Sequence, residues 1–223
     1  MSNLFERIIT SFLLLSILIF CFIYSLYSWS FFLIVTSIIS FIEFKFLIKK
    51  IWSKEKKIIF IFNIVSIIYL LLLIYVSLNI YIKSPSFLFF ILLICFFSDT
   101  GGYLVGNLVG GKKLTKISPN KTISGSVGSF VFSIIPIFIY YTINEYTEYI
   151  ESNLYDNWLV LTFVCLFLSL VCQLGDLFIS YFKRKAVVND TGSILPGHGG
   201  LLDRIDGTIF VLPVAYLLNI LIF

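Results

Sequence analysis

The chain has 223 residues, of which 59% are hydrophobic and only 13% are charged. An ordinary soluble domain is about half apolar and about a quarter charged, so this composition excludes a water-soluble globule and a disordered chain. The net charge of +4 is too slight to indicate a nucleic-acid partner. The four cysteines lie inside apolar runs and form no CxxC pair, which excludes a disulfide framework and a zinc-ribbon site. The composition predicts a polytopic membrane protein.

Seven apolar runs follow one another along the chain, and each is close to the roughly 20 residues that a membrane crossing needs. They cover residues 8–26, 29–48, 58–78, 86–109, 125–143, 157–182 and 205–223. The first run has no small-residue cleavage site, so we expect it to be retained as a helix. The sequence therefore predicts an all-α integral membrane bundle of about seven transmembrane helices, organised as a single domain over residues 1–223.

Basic residues predict the orientation of the bundle. Six lysines lie at the end of the second run and in the connection to the third, and the positive-inside rule places them in the cytoplasm together with the N-terminus. If each run crosses the membrane once, only Lys83 of the sixteen basic residues lies outside, and the acidic 143–156 loop lies outside as well. We therefore expect a multi-pass protein of the inner (plasma) membrane whose later polar segments face the cytoplasm.

Glycine divides the chain into two parts. All 13 glycines lie between Gly101 and Gly207. Because glycine permits tight turns and a close approach of backbone to ligand, chemistry is expected in the second part. Residues 1–97 would then supply N-terminal helices, and residues 98–223 would form the catalytic half.

The first polar segment begins inside the fourth apolar run, at Asp99. A carboxylate at the centre of a membrane helix costs about 2.5 to 3.5 kcal/mol on insertion scales, so it usually has a partner and a function. The structural alternative is a simple hydrogen bond to Thr100 or to a neighbouring helix.

A weak phosphate-binding pattern follows. Gly106–Lys112 fits the G-x-x-x-x-G-K part of a P-loop, but Lys113 stands where Ser or Thr would hold magnesium, and no strand precedes the segment. Flexible glycine backbone, the lysines and the hydroxyl of Thr122 can still meet phosphate oxygens, with Lys112 and Lys121 as the candidate cations. An ordinary positive-inside loop is the alternative.

The second polar segment gathers acids near the last two runs. Asp176 and Ser180 are four residues apart on one helical face and can address one site. Asp203 and Asp206 are three apart at the start of the last helix, where the helix dipole favours negative charge. Two carboxylates so close repel unless a cation intervenes, and magnesium is commonly held by one or two carboxylates plus substrate phosphates. Arg204 either neutralises these acids or clamps a phosphate.

The only histidine, His198, lies between glycines just before these acids, and a capped surface turn is the structural alternative for that loop. The segment from Ser180 to Asp206, SYFKRKAVVNDTGSILPGHGGLLDRID, closely resembles the signature of the phosphatidate cytidylyltransferase (CDP-diacylglycerol synthase) family. Residues 99–103, 118–122 and 173–177 resemble that family's other motifs in the same order. The resemblance spans about residues 96–223, and PGHGG followed by DRxD is its most specific part.

The resemblance implies an enzyme that transfers CMP from CTP to phosphatidic acid in the lipid bilayer, giving CDP-diacylglycerol and pyrophosphate for phospholipid synthesis. It implies magnesium as cofactor and leaves open a second metal or monovalent ion and a homodimer. The catalytic residues carried over by motif are Asp176, Ser180, His198, Asp203, Arg204 and Asp206. The substrate-binding residues are Lys112, Lys121, Thr122, Lys183, Arg184, Gly197, Gly199 and Gly200. The metal ligands are Asp176, Asp203 and Asp206, with Asp99 as a further candidate.

Two positions depart from the family pattern. Asn189 stands where Lys is usual, which would weaken CTP binding unless Lys185 substitutes, and Ser124 stands where Glu or Gln is common. These departures keep an inactive homologue as one alternative. A CTP-dependent polyprenol or lipid kinase is a second, and it would release CDP in place of pyrophosphate. An ion-coupled transporter, with Asp99 and Asp176 along its pathway, is a third.

Overall fold

The computed structural model describes residues 2–146, 157–197 and 199–222, and the regular secondary structure of these ranges is entirely helical. The predicted all-α fold is therefore confirmed. The helices of the described ranges are α1 (Ser2–Tyr24), α2 (Leu26–Ile51), α3 (Lys56–Lys83), α4 (Pro85–Val109), α5 (Ile123–Phe132), α6 (Ile135–Tyr146), α7 (Trp158–Lys185) and α8 (Leu202–Ile222).

Five apolar segments of the described chain are long and apolar enough to cross a bilayer. They are Leu26–Ile51, Lys56–Lys83, Pro85–Val109, Ile123–Thr142 and Trp158–Lys185. Ile9–Tyr24 is a shorter apolar helix, and α8 carries three charged residues in its first two turns. The chain is thus a polytopic helical membrane protein, as predicted. The cytoplasmic N-terminus stays a prediction, and residues 147–156 of the predicted outer loop lie outside the described residues.

The fifth predicted run forms two helices rather than one. α5 ends at Phe132, and α6 begins at Ile135 with Pro136 as its second residue. Proline lacks an N–H and is tolerated in the first turn of a helix, but further inside it removes a backbone hydrogen bond. The proline therefore explains why a new helix starts within an apolar segment that is otherwise continuous.

The chain forms two compact units. The first unit comprises Met1–Lys83 and Ile179–Asp206, and the second unit comprises Ser84–Phe178 and Gly207–Phe223. Helices α7 and α8 contribute residues to both units. The predicted single domain, with N-terminal helices up to residue 97 and a catalytic half after it, stays a prediction.

In the first unit, the end of α7 packs against the end of α2. The buried members of this apolar cluster are Leu47, Ile48, Phe182 and Ala186. Trp52 stacks on Phe62 with ring centroids 5.0 Å apart, and Phe44 meets Phe182 edge to face at 5.4 Å. Aromatic pairs of this kind contribute about 0.5 to 1.5 kcal/mol beyond the area they bury. The packing holds the basic last turn of α7, with Lys183 and Arg184, beside α2.

In the second unit, α4 and α5 pack closely through glycines. A Cβ atom at Gly101 would lie 2.5 Å from the Cβ of Phe132, and one at Gly128 would lie 2.5 Å from the Cβ of Val105. Small residues allow helix backbones to approach in membranes, where dispersion and hydrogen bonds drive helix association. The glycines next to Asp99 are therefore packing residues of α4, which differs from the expected role in tight turns or ligand approach.

Replacing Gly128 by Leu is expected to destabilise the second unit, because the new side chain has no space between α4 and α5. Overpacking of this kind costs about 1 to 3 kcal/mol. Thermal unfolding in detergent should show a lower transition temperature for Gly128→Leu. The matched control is Val127→Leu, since the neighbouring Val127 is 56% exposed and can take a larger apolar side chain. Equal transition temperatures for the two variants would contradict the packing argument.

Candidate active site

In the first unit, three N–H groups of the second polar segment donate to Asp203. Its Oδ1 accepts from Lys183 Nζ at 2.7 Å, and its Oδ2 accepts from Thr191 N at 2.8 Å and Gly200 N at 3.1 Å. The hydroxyl of Thr191 lies 2.9 Å from the same Oδ2. The side chains of Lys183 and Asp203 are 13% and 7% exposed, so this ion pair is largely removed from solvent. A predicted phosphate-binding cation and a predicted metal ligand are thus already in contact.

A second buried carboxylate, Glu43 of α2, accompanies Asp203. Glu43 is 3% exposed and accepts from Leu201 N at 3.0 Å and Leu202 N at 2.8 Å. The hydroxyl of Thr191 lies 2.8 Å from Glu43 Oε2, within hydrogen-bond distance. Sequence reasoning missed Glu43 because it searched for chemistry only after residue 97. The argument that singled out Asp99, an acid in an apolar helix, applies equally to Glu43 and would have found it.

Two glycines of the connection between α7 and α8 pack against Glu43, and one of them, Gly200, is a predicted substrate-binding residue. A Cβ at Gly200 would lie 2.5 Å from Glu43 Oε2, and one at Gly192 would lie 2.6 Å from Glu43 Oε1. Gly197 and Gly199 have φ values of 73° and 84°, which favour glycine. Leu195 and Gly199 exchange two backbone hydrogen bonds of 2.9 and 3.1 Å. Packing around Glu43 therefore accounts for Gly192 and Gly200, whereas turn geometry accounts for Gly197 and Gly199.

Helix α7 ends in a strained turn next to its basic residues. Val188 N donates to Lys183 O at 3.0 Å and Val187 N donates to Arg184 O at 3.1 Å, which is the bonding pattern of a Schellman motif. Val187 occupies the left-handed position of this motif, with φ of 54°. A residue with a side chain has a steric cost on the order of 1 to 2 kcal/mol in this conformation, and glycine does not. Such strain persists only where the surrounding structure imposes it, and it clusters at functional sites.

The turn also shows what Asn189 does. Arg184 Nη1 donates to Asn189 Oδ1 at 3.3 Å, so the residue that replaces the family's usual lysine accepts from a neighbouring cation. Lys185 lies over the rings of Trp52 and Tyr181, at 5.0 and 5.4 Å from their centroids. Lys185 thus packs on two aromatic rings, and its expected role as substitute for the missing lysine stays a prediction.

In the second unit, Lys121 and Asp176 form an ion pair. Their side chains are 26% and 29% exposed, so both remain within reach of a solute. Lys121 lies in a short antiparallel pairing in which Leu114 N donates to Lys121 O at 2.8 Å. Thr122 then caps α5 by accepting from Gly125 N at 3.1 Å. The structure therefore brings together three predicted site residues, Lys121, Thr122 and Asp176.

Asp99 has a partner on a neighbouring helix. Cys172 of α7 donates through Sγ to Asp99 Oδ1 at 3.6 Å. Asp99 is exposed on α4, and the hydroxyl of Thr100 donates instead to Phe96 O at 2.7 Å. The hydrogen bond between helices that the sequence raised as an alternative is thus present. The role of Asp99 as a metal ligand stays a prediction.

The P-loop-like segment ends a helix rather than following a strand. Gly110 N donates to Gly106 O at 3.1 Å, and Gly110 and Gly111 have φ values of 62° and 107°. The hydroxyl of Ser124 donates to Gly110 O and lies 3.0 Å from Thr122 Oγ1. Ser124, where an acid is common in the family, therefore closes this loop. Lys112 is exposed beside it.

A family model described as "Cytidylyltransferase family" matches residues 46–222, which is more than three quarters of the chain. The matched range includes both polar segments and does not include Glu43. The chain belongs to the cytidylyltransferase family. The resemblance found in the sequence is confirmed.

Three relatives of this cytidylyltransferase-family chain carry the name phosphatidate cytidylyltransferase. The protein of Staphylococcus haemolyticus (strain JCSC1435) is 46% identical over 138 residues, which cover 61% of this chain and 48% of that protein. The protein of Staphylococcus aureus (strain COL) is 45% identical over 142 residues, covering 63% and 50%. The protein of Bacillus subtilis (strain 168) is 39% identical over 134 residues, covering 60% and 47%. The chain spans about half the length of the curated relatives it matches.

Magnesium fits these residues of the cytidylyltransferase-family chain only if phosphate oxygens of a substrate supply part of its coordination. Among the described residues, no group of three His, Cys, Asp or Glu side chains lies close enough to hold a metal ion. Asp203 and Asp206 stand one turn apart on α8, which matches the one or two carboxylates that magnesium uses together with water and phosphate oxygens. Both Asp203 oxygens accept from Lys183, Thr191 or Gly200, so Asp203 would have to share or exchange one of these contacts to bind an ion. The donor set suits an ion that arrives with a polyphosphate and does not suit a cage made of protein ligands alone.

The remaining predicted residues are distributed as follows. Ser180 and Asp206 are buried at 6% and 8% exposure, and Arg204 is exposed on α8. His198 lies outside the described residues. The assignments of catalytic, substrate-binding and metal-binding roles to all these residues of the cytidylyltransferase chain stay predictions.

Proposed function

We propose that this chain transfers CMP from CTP to phosphatidic acid, giving CDP-diacylglycerol and pyrophosphate in phospholipid biosynthesis. The observation that carries the proposal is the match to the cytidylyltransferase family across residues 46–222, together with relatives named phosphatidate cytidylyltransferase at 39 to 46% identity. The Lys183–Asp203 and Lys121–Asp176 pairs support it, because they bring cations and carboxylates of the kind that polyphosphate chemistry uses.

In this reaction, an oxygen of the lipid phosphate forms a bond to the α-phosphorus of CTP, and the bond from that phosphorus to pyrophosphate breaks. The lipid phosphate is already ionised, so no general base is assigned. The protein must hold two polyanions in line and stabilise charge on the departing pyrophosphate. Lys183 and Arg184 in the last turn of α7, with the exposed Arg204, are proposed to bind phosphate oxygens. Ser180 and His198 are proposed to orient the substrates.

Magnesium, when bound with CTP, supplies positive charge that offsets the phosphate oxygens. Asp203 and Asp206 of the first unit and, separately, Asp176 of the second unit are proposed as its ligands, with Asp99 as a further candidate. We also propose that this chemistry takes place at the cytoplasmic side of the inner (plasma) membrane. The predicted site acids lie in or beside connections that are rich in basic residues, and the positive-inside rule assigns such connections to the cytoplasm. The homodimer that the sequence left open is tested by the mass of the purified protein in detergent.

The test uses the purified full chain in lipid nanodiscs with phosphatidic acid, magnesium and CTP labelled on either the α- or the γ-phosphorus. Transfer of the α-label to lipid, with release of pyrophosphate, is the expected result. Transfer of the γ-label would show a CTP-dependent lipid kinase instead. No lipid-dependent use of CTP, where one of the named relatives is active in the same nanodiscs, would overturn the proposal and favour an inactive homologue or a transporter.

A further inference from the structure

Glu43 is a buried acid with no place in the motifs that the sequence shares with the cytidylyltransferase family. It lies on α2 and precedes the matched range, which begins at residue 46. Only 3% of the residue is exposed. A buried carboxylate is unfavourable unless hydrogen bonds compensate for its lost hydration, so its contacts indicate what it does.

The contacts of Glu43 all go to the segment that leads into α8. Its two oxygens accept separately, Oε1 from Leu201 N at 3.0 Å and Oε2 from Leu202 N at 2.8 Å. The first N–H groups of a helix have no partner within the helix, and a negative charge is favourable there. Glu43 therefore fixes the start of α8, the helix that carries the predicted metal ligands.

Thr191 connects Glu43 to the predicted site. Its hydroxyl lies 2.8 Å from Glu43 Oε2 and 2.9 Å from Asp203 Oδ2, and it carries one proton that can serve one carboxylate at a time. Thr191 N also donates to Asp203 Oδ2. Gly200 packs against Glu43 and Thr191 with no space for a side chain. Thr191 therefore lies between the two carboxylates, with its N–H bonded to Asp203 and its hydroxyl within hydrogen-bond distance of both.

We propose that Glu43 is a positioning residue for CMP transfer, which fixes the orientation of the Asp203 carboxylate through Thr191 and the start of α8. This inference rests on the proposed function. Glu43 is surrounded by backbone and by Thr191, so it acts through Asp203 and not on the substrate. A misplacement of about 1 Å at reacting groups lowers rates about a hundredfold, which gives such a residue a kinetic signature.

The experiment compares four variants of the full chain in nanodiscs. Glu43→Gln keeps the shape but places an amide donor against a backbone N–H, and Thr191→Val keeps the volume but removes the bridging hydroxyl. Thr191→Ser restores that hydroxyl. Ser40→Ala is the matched control, because Ser40 is buried one turn away on α2 and its hydroxyl donates to Thr36 O of the same helix at 2.7 Å.

We expect kcat to fall at least about tenfold in Glu43→Gln and Thr191→Val, by the geometric effect above, while the KM values for CTP and phosphatidic acid change less than about threefold. Thr191→Ser and Ser40→Ala should stay within about twofold of the parent. Rates are divided by the concentration of folded protein, measured by size-exclusion chromatography. If Glu43→Gln does not fold, Thr191→Val decides the question.

Folded Glu43→Gln or Thr191→Val protein with kcat within about twofold of the parent would overturn the inference, as would a loss in Thr191→Ser equal to that in Thr191→Val. Hydrogen exchange gives an independent readout, since the Leu201 and Leu202 amides should exchange faster in Glu43→Gln than in Ser40→Ala. Unchanged exchange overturns the proposed contacts. An inactive parent chain contradicts the proposed function instead, so the two failures are distinguishable.

Discussion

Replacing Asp206 by Asn is expected to lower CDP-diacylglycerol formation by about a thousandfold, at the upper end of what single charge-stabilising groups contribute to catalysis. Asp206 is 8% exposed and stands one turn after Asp203 on α8. The substitution keeps the size of the side chain and removes one negative charge from the acidic pair. The apparent affinity for magnesium should fall as well, which titration of the rate with magnesium chloride measures.

Asp203→Asn provides the contrast that separates chemistry from folding. Asp203 accepts from Lys183, Thr191 and Gly200, so its replacement should also lower stability, by roughly 3 kcal/mol for a largely buried pair left incomplete. Glu55→Gln, in the exposed connection between α2 and α3, is the control and should leave the rate unchanged. A folded Asp206→Asn protein with near-normal turnover would show that the metal assignment is wrong.

The membrane fold could be predicted because apolar runs of about 20 residues are a strong signal. The break between α5 and α6 has a signal in the sequence, Pro136, but the hydropathy pattern did not predict it, because averaging over a run hides a single proline. The role of the glycines near Asp99 could not be read from the sequence. Close packing of Gly101 and Gly128 depends on two helices meeting, and an isolated helix carries no information about its partner.

The candidate site shows the same division between local and long-range information. Asp203, Asp206 and Lys183 lie in one contiguous signature, so a short stretch of sequence was enough to single them out as candidates. Glu43 lies 148 positions before Thr191, to which it bonds, and pattern reasoning has no means of pairing residues so far apart. Asn189 shows a third case, because the sequence marks the departure from the family pattern, and only the structure shows that the side chain accepts from Arg184.

The Lys121–Asp176 pair leads to the second large expected effect. Both side chains are about a quarter exposed, and such pairs contribute little to stability in water. Lys121→Ala is nevertheless expected to lower the rate about a hundredfold, because it removes a cation that we propose to bind substrate phosphate. Lys116→Met, which removes an exposed lysine of the same loop, is the matched control and should retain most of the activity.

Exchanging the two charges decides between a structural and a functional pair. The double variant Lys121→Asp with Asp176→Lys keeps one cation and one anion in contact, so its thermal unfolding temperature should stay close to that of the parent. Its rate should stay about a hundredfold low, because phosphate then meets an anion where it needs a cation, and magnesium meets a cation where it needs an anion. A rate equal to that of the parent would mean that the pair only joins α7 to the loop before α5. A rate that stays low in a protein of parental stability would mean that Lys121 and Asp176 act on the substrates individually.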